Sequence, residues 1–552
     1  MIGSRLDRGW TDPRRDVSAM PDTVPVLVGH VTGVSGAQLA VGLRAPDATD
    51  DRAEVDGAAR IGSLVKLRLA GATAYGVVSR LAVDGAGAGA QRTAAVDLIG
   101  ELIEKPGQPP RFLRGVSQYP HLGAEVFAAT GFDLRHVYAQ PHAAHVRVGT
   151  LAQDPAISAY VSTDDLLAKH FAILGSTGSG KSCTVTLILR AILGQHANAH
   201  VVMFDPHREY TQAFGDFADV LDPSNLELPS WLLDFEELCQ LLVYGVEDGE
   251  REAQVTVLRN AVLQARCRHP AAQKMGNHVT VDTPVPYHVG DLVKILDEGL
   301  GKLDKPDRST PYLRLKARIE ALCNDRRYAF MFSRLNGRDS LTELMSRLLR
   351  IPVQGRPMTI VDLSGMPSEI VDVVVSLLSR VIFDFALWSA KPLSVPVLLV
   401  CEEAHRYIPE RLDAGFEATR LALSRIAKEG RKYGVSLCLV TQRPSELSPS
   451  VLSQCGTIFA LRMGNERDQE FVTRALPETA RNLVGMLPGL RVQEAVVVGE
   501  GAAVPMRVRL DDLDPRHQPR SESASFATTW QQDRENHAFV TQTIQRWRLQ
   551  QR

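Results

Sequence analysis

A run of eight residues, Gly175 to Ser182, matches the nucleotide-binding pattern G-x-x-x-x-G-K-[ST] at every fixed position. Glycines let several backbone N–H groups converge on one phosphate, Lys181 can reach the β- and γ-phosphates, and Ser182 can ligate Mg²⁺. We therefore expect ATP and Mg²⁺ as cofactors. The predicted nucleotide contacts are Gly175, Ser176, Thr177, Gly178, Ser179, Gly180, Lys181, Ser182 and Cys183.

The flanks of this loop have the patterns of a strand and a helix. Phe171–Leu174 is a continuous apolar run, typical of a buried parallel strand, and apolar residues recur with helical spacing between residues 182 and 191. A helix that begins at the loop adds partial positive charge where a phosphate would lie. The alternative is a glycine-rich turn that binds nothing, but the strand–turn–helix context favours a P-loop.

Two adjacent carboxylates follow a second apolar strand. Val395–Cys401 runs directly into Glu402 and Glu403, which is the form of a Walker B strand. Hydrolysis needs one carboxylate to orient Mg²⁺ and another to polarise the attacking water. We assign the first role to Glu402 and the second, that of catalytic base, to Glu403. The alternative is a strand that ends in a solvated acidic turn.

A third apolar run, His200–Phe204, ends at Asp205. Ligands of α/β sheets lie at the carboxyl ends of the strands, so Asp205 or Glu209 could hold Mg²⁺ or water near the γ-phosphate. The predicted metal ligands are therefore Ser182, Glu402 and Asp205. The alternative for Asp205 is a turn or a helix cap before Pro206.

Two further residues are candidates for catalysis. Gln442 follows the apolar run Val435–Val440 and offers an amide that can sense the γ-phosphate or position water. Arg431 lies just before that strand, in a cluster of cations. Because phosphoryl transfer in this class usually takes an Arg from a neighbouring subunit, Arg431 is a candidate arginine finger. A surface salt bridge is the alternative.

The composition excludes several classes of protein. No apolar run is long enough to span a membrane and residues 1–23 lack the apolar core of a signal peptide, so we expect a cytoplasmic protein with no membrane contact. The seven cysteines include no C-x-x-C pair, which argues against a disulfide framework and a structural zinc site. A net charge of −2 restricts any DNA contact to a local basic lining, such as a pore.

The pattern of the chain also predicts its organisation. The predicted parts are a disordered arm (1–22), a small β-barrel (23–115), an ATPase core (116–225 and 351–511), a helical insertion (226–350) and a C-terminal helical tail (512–552). The Gly85–Ala90 repeat predicts a flexible loop between two barrel strands. The basic stretch Pro311–Arg350 either contacts DNA or is a solvated helical face.

Together these motifs resemble the HerA-type ATPases of the HerA/FtsK group, bacterial members included. The resemblance rests on the order and spacing of Leu167–Ser182, Asp205–His207, Glu402–His405, Glu429–Lys432 and Thr441–Pro444. It implies an α/β fold: a RecA-like P-loop ATPase core with an N-terminal small β-barrel of the HAS type and a helical insertion. It also implies a hexameric homo-oligomeric ring that moves double-stranded DNA through its pore. The implied partner effector is a nuclease or a sirtuin-like NADase, in DNA end processing or antiphage defence.

Two residues depart from the family pattern. Arg208 stands where the family often has Gly, and Glu402 stands where generic Walker B strands end in Asp. The leading hypothesis is a ring-forming, Mg²⁺-dependent ATP hydrolase of the DNA translocase/helicase class. Its rival is an ATP-regulated scaffold that activates the partner effector without processive translocation. Stimulation of ATP hydrolysis by DNA distinguishes the two.

Overall fold

The computed structural model describes residues 26–44, 59–84, 91–104, 107–243, 248–302, 309–332, 338–389, 394–411, 417–520, 527, 530–531 and 537–549. The predicted arm at 1–22 and the Gly85–Ala90 loop lie outside the described residues. The chain forms two compact units, Met1–Ala139 and Gln140–Arg552.

The first unit contains a closed antiparallel barrel, which confirms the prediction of an N-terminal small β-barrel. Its strands are β1 (Leu27–Ser35), β2 (Gln38–Leu43), β3 (Leu64–Leu69), β4 (Ala72–Asp84), β5 (Gln91–Ile103), β6 (Arg111–Arg114) and β7 (Glu125–Ala128). The ring closes because β2 pairs with both β1 and β5, while β6 pairs with β5 alone. Alternate side chains point inward, so Val31, Leu39, Val65 and Val96 are at most 2% exposed. Pairing continues to Ala128, which lies opposite Val65 of β3 and beyond the predicted end at residue 115.

A buried carboxylate attaches a short helix to this barrel. Helix α1 (Gly131–Val137) begins with a capping box between Thr130 and Asp133. Asp133 also accepts hydrogen bonds from Lys66 Nζ and from the Tyr75 hydroxyl, both at 2.6 Å. Burial alone would raise the pKa of Asp133, but the hydrogen bonds from Lys66, Tyr75 and Thr130 lower it below its ordinary value. The carboxylate is therefore ionised and holds α1 in place.

The second unit is built on one eleven-stranded sheet. Its strands are β8 (His145–Leu151), β9 (Ser158–Ser162), β10 (Phe171–Leu174), β11 (Val201–Asp205), β12 (Ala218–Leu221), β13 (Met358–Asp362), β14 (Val397–Cys401), β15 (Val435–Thr441), β16 (Thr457–Leu461), β17 (Glu494–Gly499) and β18 (Met506–Leu510). The strand order is β12-β13-β11-β14-β15-β10-β16-β17-β18-β8-β9. The first seven strands in this spatial order, from β12 across to β16, are parallel. The other four, β17, β18, β8 and β9, extend the sheet with antiparallel pairs.

Helices connect the strands of the second unit. They are α2 (Thr163–Ala168), α3 (Lys181–Gln195), α4 (Phe235–Leu242), α5 (Asp248–Cys267), α6 (Pro270–Met275), α7 (Val289–Leu300), α8 (Thr310–Asn324), α9 (Ala329–Phe332), α10 (Leu341–Leu348), α11 (Ser368–Trp388), α12 (Glu417–Tyr433), α13 (Pro449–Leu452), α14 (Glu466–Ala475), α15 (Glu478–Arg481) and α16 (His537–Leu549). Helices α4 to α10 lie between β12 and β13, where the sequence predicts a helical insertion. No helix in the described part of the chain is both long and apolar enough to cross a bilayer.

A buried ion pair joins the insertion to the sheet domain. Arg380 of α11 contacts Glu237 of α4 at 2.9 Å and Asp234 at 3.2 Å. The Ser376 hydroxyl donates to the other oxygen of Glu237 at 2.7 Å. Because Glu237 is only 1% exposed, loss of either partner would leave a buried charge unpaired. This contact fixes the first helix of the insertion against α11.

The parallel strands place the predicted motifs at one edge of the sheet. Strands β10, β11, β13, β14 and β15 are buried along their whole length, as expected for strands covered on both faces. Their carboxyl ends face the same way, and we call this side the C-terminal edge. The P-loop, Asp205, Glu402 and Thr441 all lie there. The α/β fold class predicted from the sequence is confirmed.

Candidate nucleotide site

The P-loop adopts backbone angles that need glycine. Gly178 and Gly180 have φ values of 74° and 101°, in the left-handed region. A Cβ on Gly175 would lie 2.7 Å from Ser179 Oγ and 2.8 Å from Leu461 Cβ. The loop is further fixed at Ser176, whose backbone N–H and hydroxyl donate to the Arg462 carbonyl at 3.0 and 2.9 Å. Both fixed glycines of the motif are therefore required by the backbone: a side chain would clash at Gly175 and would be strained at Gly180.

Lys181 is the cation of this site. Its Nζ donates to the carbonyl of Ser176 at 3.1 Å, and the residue is only 8% exposed. Burial lowers the pKa of Lys181, and the charges of Glu402, Glu403 and Glu209 oppose that shift. The P-loop cation and the two Walker B carboxylates thus lie within electrostatic reach of one another.

The loop after β11 brings Glu209 to the P-loop helix. Ser182 Oγ donates to Glu209 Oε2 at 2.8 Å. Asp205 accepts three backbone N–H groups instead, from His207 and Glu209 at 3.2 Å and from Tyr210 at 3.0 Å. Its side chain is fully buried and organises the turn. Of the two carboxylates considered from the sequence, Glu209 is the one beside Ser182, and a metal-binding role for Asp205 stays a prediction.

Glu402 is held by a tyrosine. The Tyr210 hydroxyl donates to Glu402 Oε2 at 2.8 Å, and Tyr210 is fully buried. Burial raises the pKa of Glu402 to about 8, an effect that the charge of Glu403 reinforces and that Tyr210 and Lys181 oppose. The sequence analysis assigns no role to Tyr210, which lies three residues beyond the Asp205–His207 motif. Its position directly after Glu209 was the available signal.

Glu403 has a strained backbone and an open carboxylate oxygen. Its φ of 53° is left-handed, which is uncommon for a residue with a Cβ and clusters at functional sites. The side chain is buried, and within the described residues no hydrogen-bond donor is aligned with Oε2. Burial raises the pKa of Glu403, while Lys181, His207 and a backbone hydrogen bond from Gln442 oppose the shift. An acceptor without a partner suits a group that takes a proton from water.

Gln442 touches the P-loop directly. The Thr177 hydroxyl donates to its amide oxygen. Gln442 follows Thr441, the last residue of β15, and the last four residues of β15 pair with β10. The predicted γ-phosphate sensor and a predicted nucleotide contact are therefore neighbours.

Arg431 lies away from its own P-loop. It is exposed in the last turn of α12, before the amino end of β15, whereas the P-loop lies at the C-terminal edge. The strand from Val435 to Thr441 separates the two by about 20 Å at about 3.3 Å per residue. Arg431 cannot reach the site of its own chain across that distance. Its role as a finger stays a prediction and requires a neighbouring subunit.

Three other cations of the second unit already have partners. Arg443 contacts Glu446 at 3.0 Å, Arg425 lies over the Phe383 ring and 3.6 Å from Asp384, and Lys169 pairs with Glu500. The basic stretch Pro311–Arg350 shows the same behaviour. Its ion pairs include Arg314–Glu250, Lys316–Asp297, Arg327–Asp325, Arg338–Glu343 and Arg350–Asp219. These pairs favour a solvated, charge-balanced face over a DNA-binding one.

The oxygen donors around Ser182 fit Mg²⁺. A serine hydroxyl and the carboxylates of Glu209 and Glu402 are the hard ligands that Mg²⁺ prefers. Among residues with described positions, no group of three or more His, Cys, Asp or Glu forms a complete metal cage. Mg²⁺ in nucleotide sites usually takes one or two protein ligands together with phosphates and water. A partial set of donors is therefore the arrangement expected.

Comparison with known proteins agrees with the geometry. Residues 146–382 match the family model for "Helicase HerA, central domain". The chain is 27% identical over 427 residues to the DNA double-strand break repair helicase HerA of Pyrococcus furiosus, covering 70% of this chain and 73% of that protein. It is 29% identical over 425 residues to the probable DNA double-strand break repair helicase HerA of Methanocaldococcus jannaschii, covering 69% and 78%.

Among solved structures, VirB4 of Thermoanaerobacter pseudethanolicus aligns with a TM-score of 0.48 at 16% identity, covering 69% of this chain and 99% of that one. The P-loop and the Walker B pair agree with the matches to HerA sequences. Residues 146–382 of this chain are similar to the HerA central domain, and 69–70% of the chain is similar to the two HerA sequences named above.

Proposed function

We propose that this chain is a Mg²⁺-dependent ATPase that assembles into a hexameric ring and translocates double-stranded DNA. One observation carries the proposal: Lys181, Glu402 and Glu403 lie together at the C-terminal edge, with Glu403 Oε2 buried and open to a proton donor. P-loop chemistry needs this combination of a phosphate-binding cation, a metal-orienting carboxylate and a base.

The residues divide the work of hydrolysis. Lys181 and the N–H groups of the P-loop bind the β- and γ-phosphates, and Gln442 orients a water molecule. Glu403 Oε2 accepts the proton of that water as its oxygen attacks the γ-phosphorus and the bond to the ADP oxygen breaks. Mg²⁺, held through Ser182 and the carboxylates beside it, neutralises phosphate charge when bound. The neighbouring subunit's copy of Arg431 would stabilise the transition state.

DNA and an effector complete the proposal. The named relatives are DNA repair helicases, which supports DNA as the polymer that is moved. The family resemblance suggests that the ring works in the cytoplasm with a partner nuclease or a sirtuin-like NADase, in DNA end processing or antiphage defence. The basic stretch Pro311–Arg350 is not the proposed DNA contact, because much of its charge is paired.

The test combines two measurements on the purified ring. ATP hydrolysis is measured with and without double-stranded DNA, and translocation is measured by displacement of a third strand from a DNA triplex. We expect DNA to stimulate hydrolysis and ATP to drive displacement. Lys181→Ala should abolish both activities, and Glu403→Gln should keep ATP binding while slowing hydrolysis. If DNA does not stimulate ATP hydrolysis and ATP does not drive displacement of the third strand, the result would favour the assembly scaffold instead.

A further inference from the structure

His405 lies beside the predicted base and has no role in the steps described above. Its Nδ1 is 2.9 Å from Thr441 Oγ1 and 3.2 Å from Glu403 Oε2. The side chain is 12% exposed, and that of Glu403 is 8% exposed. A ring nitrogen therefore faces both the catalytic carboxylate and the end of β15.

The surroundings of Nδ1 select one tautomer. Thr441 Oγ1 already accepts the backbone N–H of Arg443 at 3.0 Å. With the proton on Nδ1, the ring can donate toward two oxygen acceptors, Thr441 Oγ1 and Glu403 Oε2. The other tautomer would direct a nitrogen lone pair at a carboxylate oxygen 3.2 Å away. Electrostatics therefore favour a neutral ring with its proton on Nδ1.

This proton is well placed to orient the carboxylate. The 3.2 Å contact lacks the alignment of a full hydrogen bond, so Oε2 keeps capacity for a second donor. Glu403 and His405 belong to one tight turn, which begins at the left-handed backbone of Glu403 and continues through Ala404–Arg406. The turn holds the ring and the carboxylate at short range, and Thr441 fixes the ring from the other side.

We propose that His405 is a positioning residue for ATP hydrolysis, whose Nδ1–H holds the Glu403 carboxylate so that Oε2 faces the attacking water. This inference rests on the proposed function. Through Thr441 it also connects the base to Gln442, whose amide contacts the P-loop residue Thr177. Both predicted water-contacting groups would then be positioned from the end of β15.

Two amide substitutions test the assignment because they place a donor at different ring positions. The amide nitrogen of His405→Asn can replace Nδ1, whereas that of His405→Gln replaces Nε2. We expect His405→Ala and His405→Gln to lower kcat by about ten- to a hundredfold, with the KM for ATP within about twofold. This loss is smaller than the about 10²–10⁴-fold of a general base, because Glu403 itself remains. His405→Asn should keep at least about one third of the wild-type kcat.

The controls separate positioning from folding. Thermal melting and binding of a fluorescent ATP analogue are measured for each variant, and His405→Ala is added to Glu403→Gln, where it should cost nothing further. Equal loss of kcat in the Asn and Gln variants, or a wild-type kcat in the Ala variant, would overturn the inference while the proposed function stands. A wild-type ring that hydrolyses no ATP, with or without DNA, would overturn both.

Discussion

Ser182 Oγ donates a hydrogen bond to Glu209 Oε2 across 2.8 Å, which joins the first turn of α3 to the loop after β11. The same loop contains Asp205, whose two oxygens accept three backbone N–H groups. Asp205 and Glu209 are only four residues apart, but their carboxylates contact different groups. Glu209 faces the hydroxyl expected on Mg²⁺, and Asp205 shapes the turn that presents it.

The first prediction separates these tasks. Glu209→Gln should raise the Mg²⁺ concentration for half-maximal ATP hydrolysis by about tenfold, the lower end of the range for loss of a residue that supports a metal ligand. Asp205→Asn should instead lower the free energy of unfolding by about 1–3 kcal/mol, because the amide nitrogen that replaces one carboxylate oxygen cannot accept a backbone N–H. Mg²⁺ titrations and thermal melts of both variants give the answer. The reverse pattern would make Asp205 the metal ligand.

The sequence identifies the site's motifs but not every contact within them. Phe171–Leu174, Val395–Cys401 and Val435–Val440 were recognisable because buried parallel strands are long apolar runs, and the polar residues after them carry the chemistry. Which carboxylate meets Ser182 depends on the turn after β11, whose path is set by backbone angles at Pro206–Glu209. Propensities do not specify such angles, so Glu209 and Asp205 could not be ranked.

The residue patterns do not predict strands β9, β12 and β16, because their local signals are weak. β12 (Ala218–Leu221) has four residues, two of them partly exposed, and β9 (Ser158–Ser162) is similarly short. β16 (Thr457–Leu461) is wholly buried but is followed by no recognised motif. These segments become strands because they pair with segments that are distant in sequence; β16, for example, pairs with β10. A local residue pattern does not show which distant segment a strand will pair with.

The second prediction concerns Arg208, which stands where the family often has Gly. Its φ is 57°, a left-handed value that favours glycine, and its Nε lies 3.3 Å from Asp362 Oδ2. Arg208→Gly and Arg208→Ala both remove this ion pair, in which Arg208 is exposed and Asp362 is buried. Only glycine also removes the steric cost of the left-handed backbone. We expect the Gly variant to exceed the Ala variant in free energy of unfolding by about 1 kcal/mol. Equal stability in urea denaturation would show that the turn is not strained there.

The third prediction uses the buried ring of His170. Its Nδ1 accepts the Leu437 N–H at 2.9 Å and its Nε2 lies 3.0 Å from the Ala427 carbonyl, so the ring is neutral with its proton on Nε2. Burial lowers the pKa of His170 below 6.5, and the Ala427 hydrogen bond only partly opposes this. Below about pH 6.5 the unfolded chain therefore binds a proton that the folded chain does not.

The stabilisation from His170 is thus fully present above about pH 6.5 and falls as the pH drops toward the lowered pKa. Because burial also lowers the pKa of His405, to about 4, a global melt would mix the two residues. Hydrogen exchange of the peptide that contains Leu437 is the specific measurement. After correction for intrinsic rates, its protection should be weaker at pH 5.5 than at pH 7.5. In His170→Gln the difference should disappear, and a difference that persists would contradict the assignment.

The last prediction concerns Arg431 and the ring. Arg431 lies at the end of the sheet opposite its own P-loop, so a catalytic role requires that each site be built from two subunits. Cyclic rings are assembled through head-to-tail interfaces, which bring one face of a subunit against a different face of the next. Such an interface can deliver Arg431 to a neighbouring P-loop. An arginine finger contributes about 10³–10⁵ in rate in related phosphoryl-transfer systems.

Mixed rings test this arrangement. Wild-type and Arg431→Ala subunits are combined in varied ratios, and ATP hydrolysis is plotted against the mutant fraction. If subunits act in a coupled cycle, a few mutant subunits should depress the rate more than dilution does, so the plot should curve below a straight line. Lys432→Ala is the matched control, since Lys432 is an equally exposed cation in the same turn of α12, and its plot should stay flat. With intact rings verified by light scattering, full activity of pure Arg431→Ala rings would exclude Arg431 as the finger.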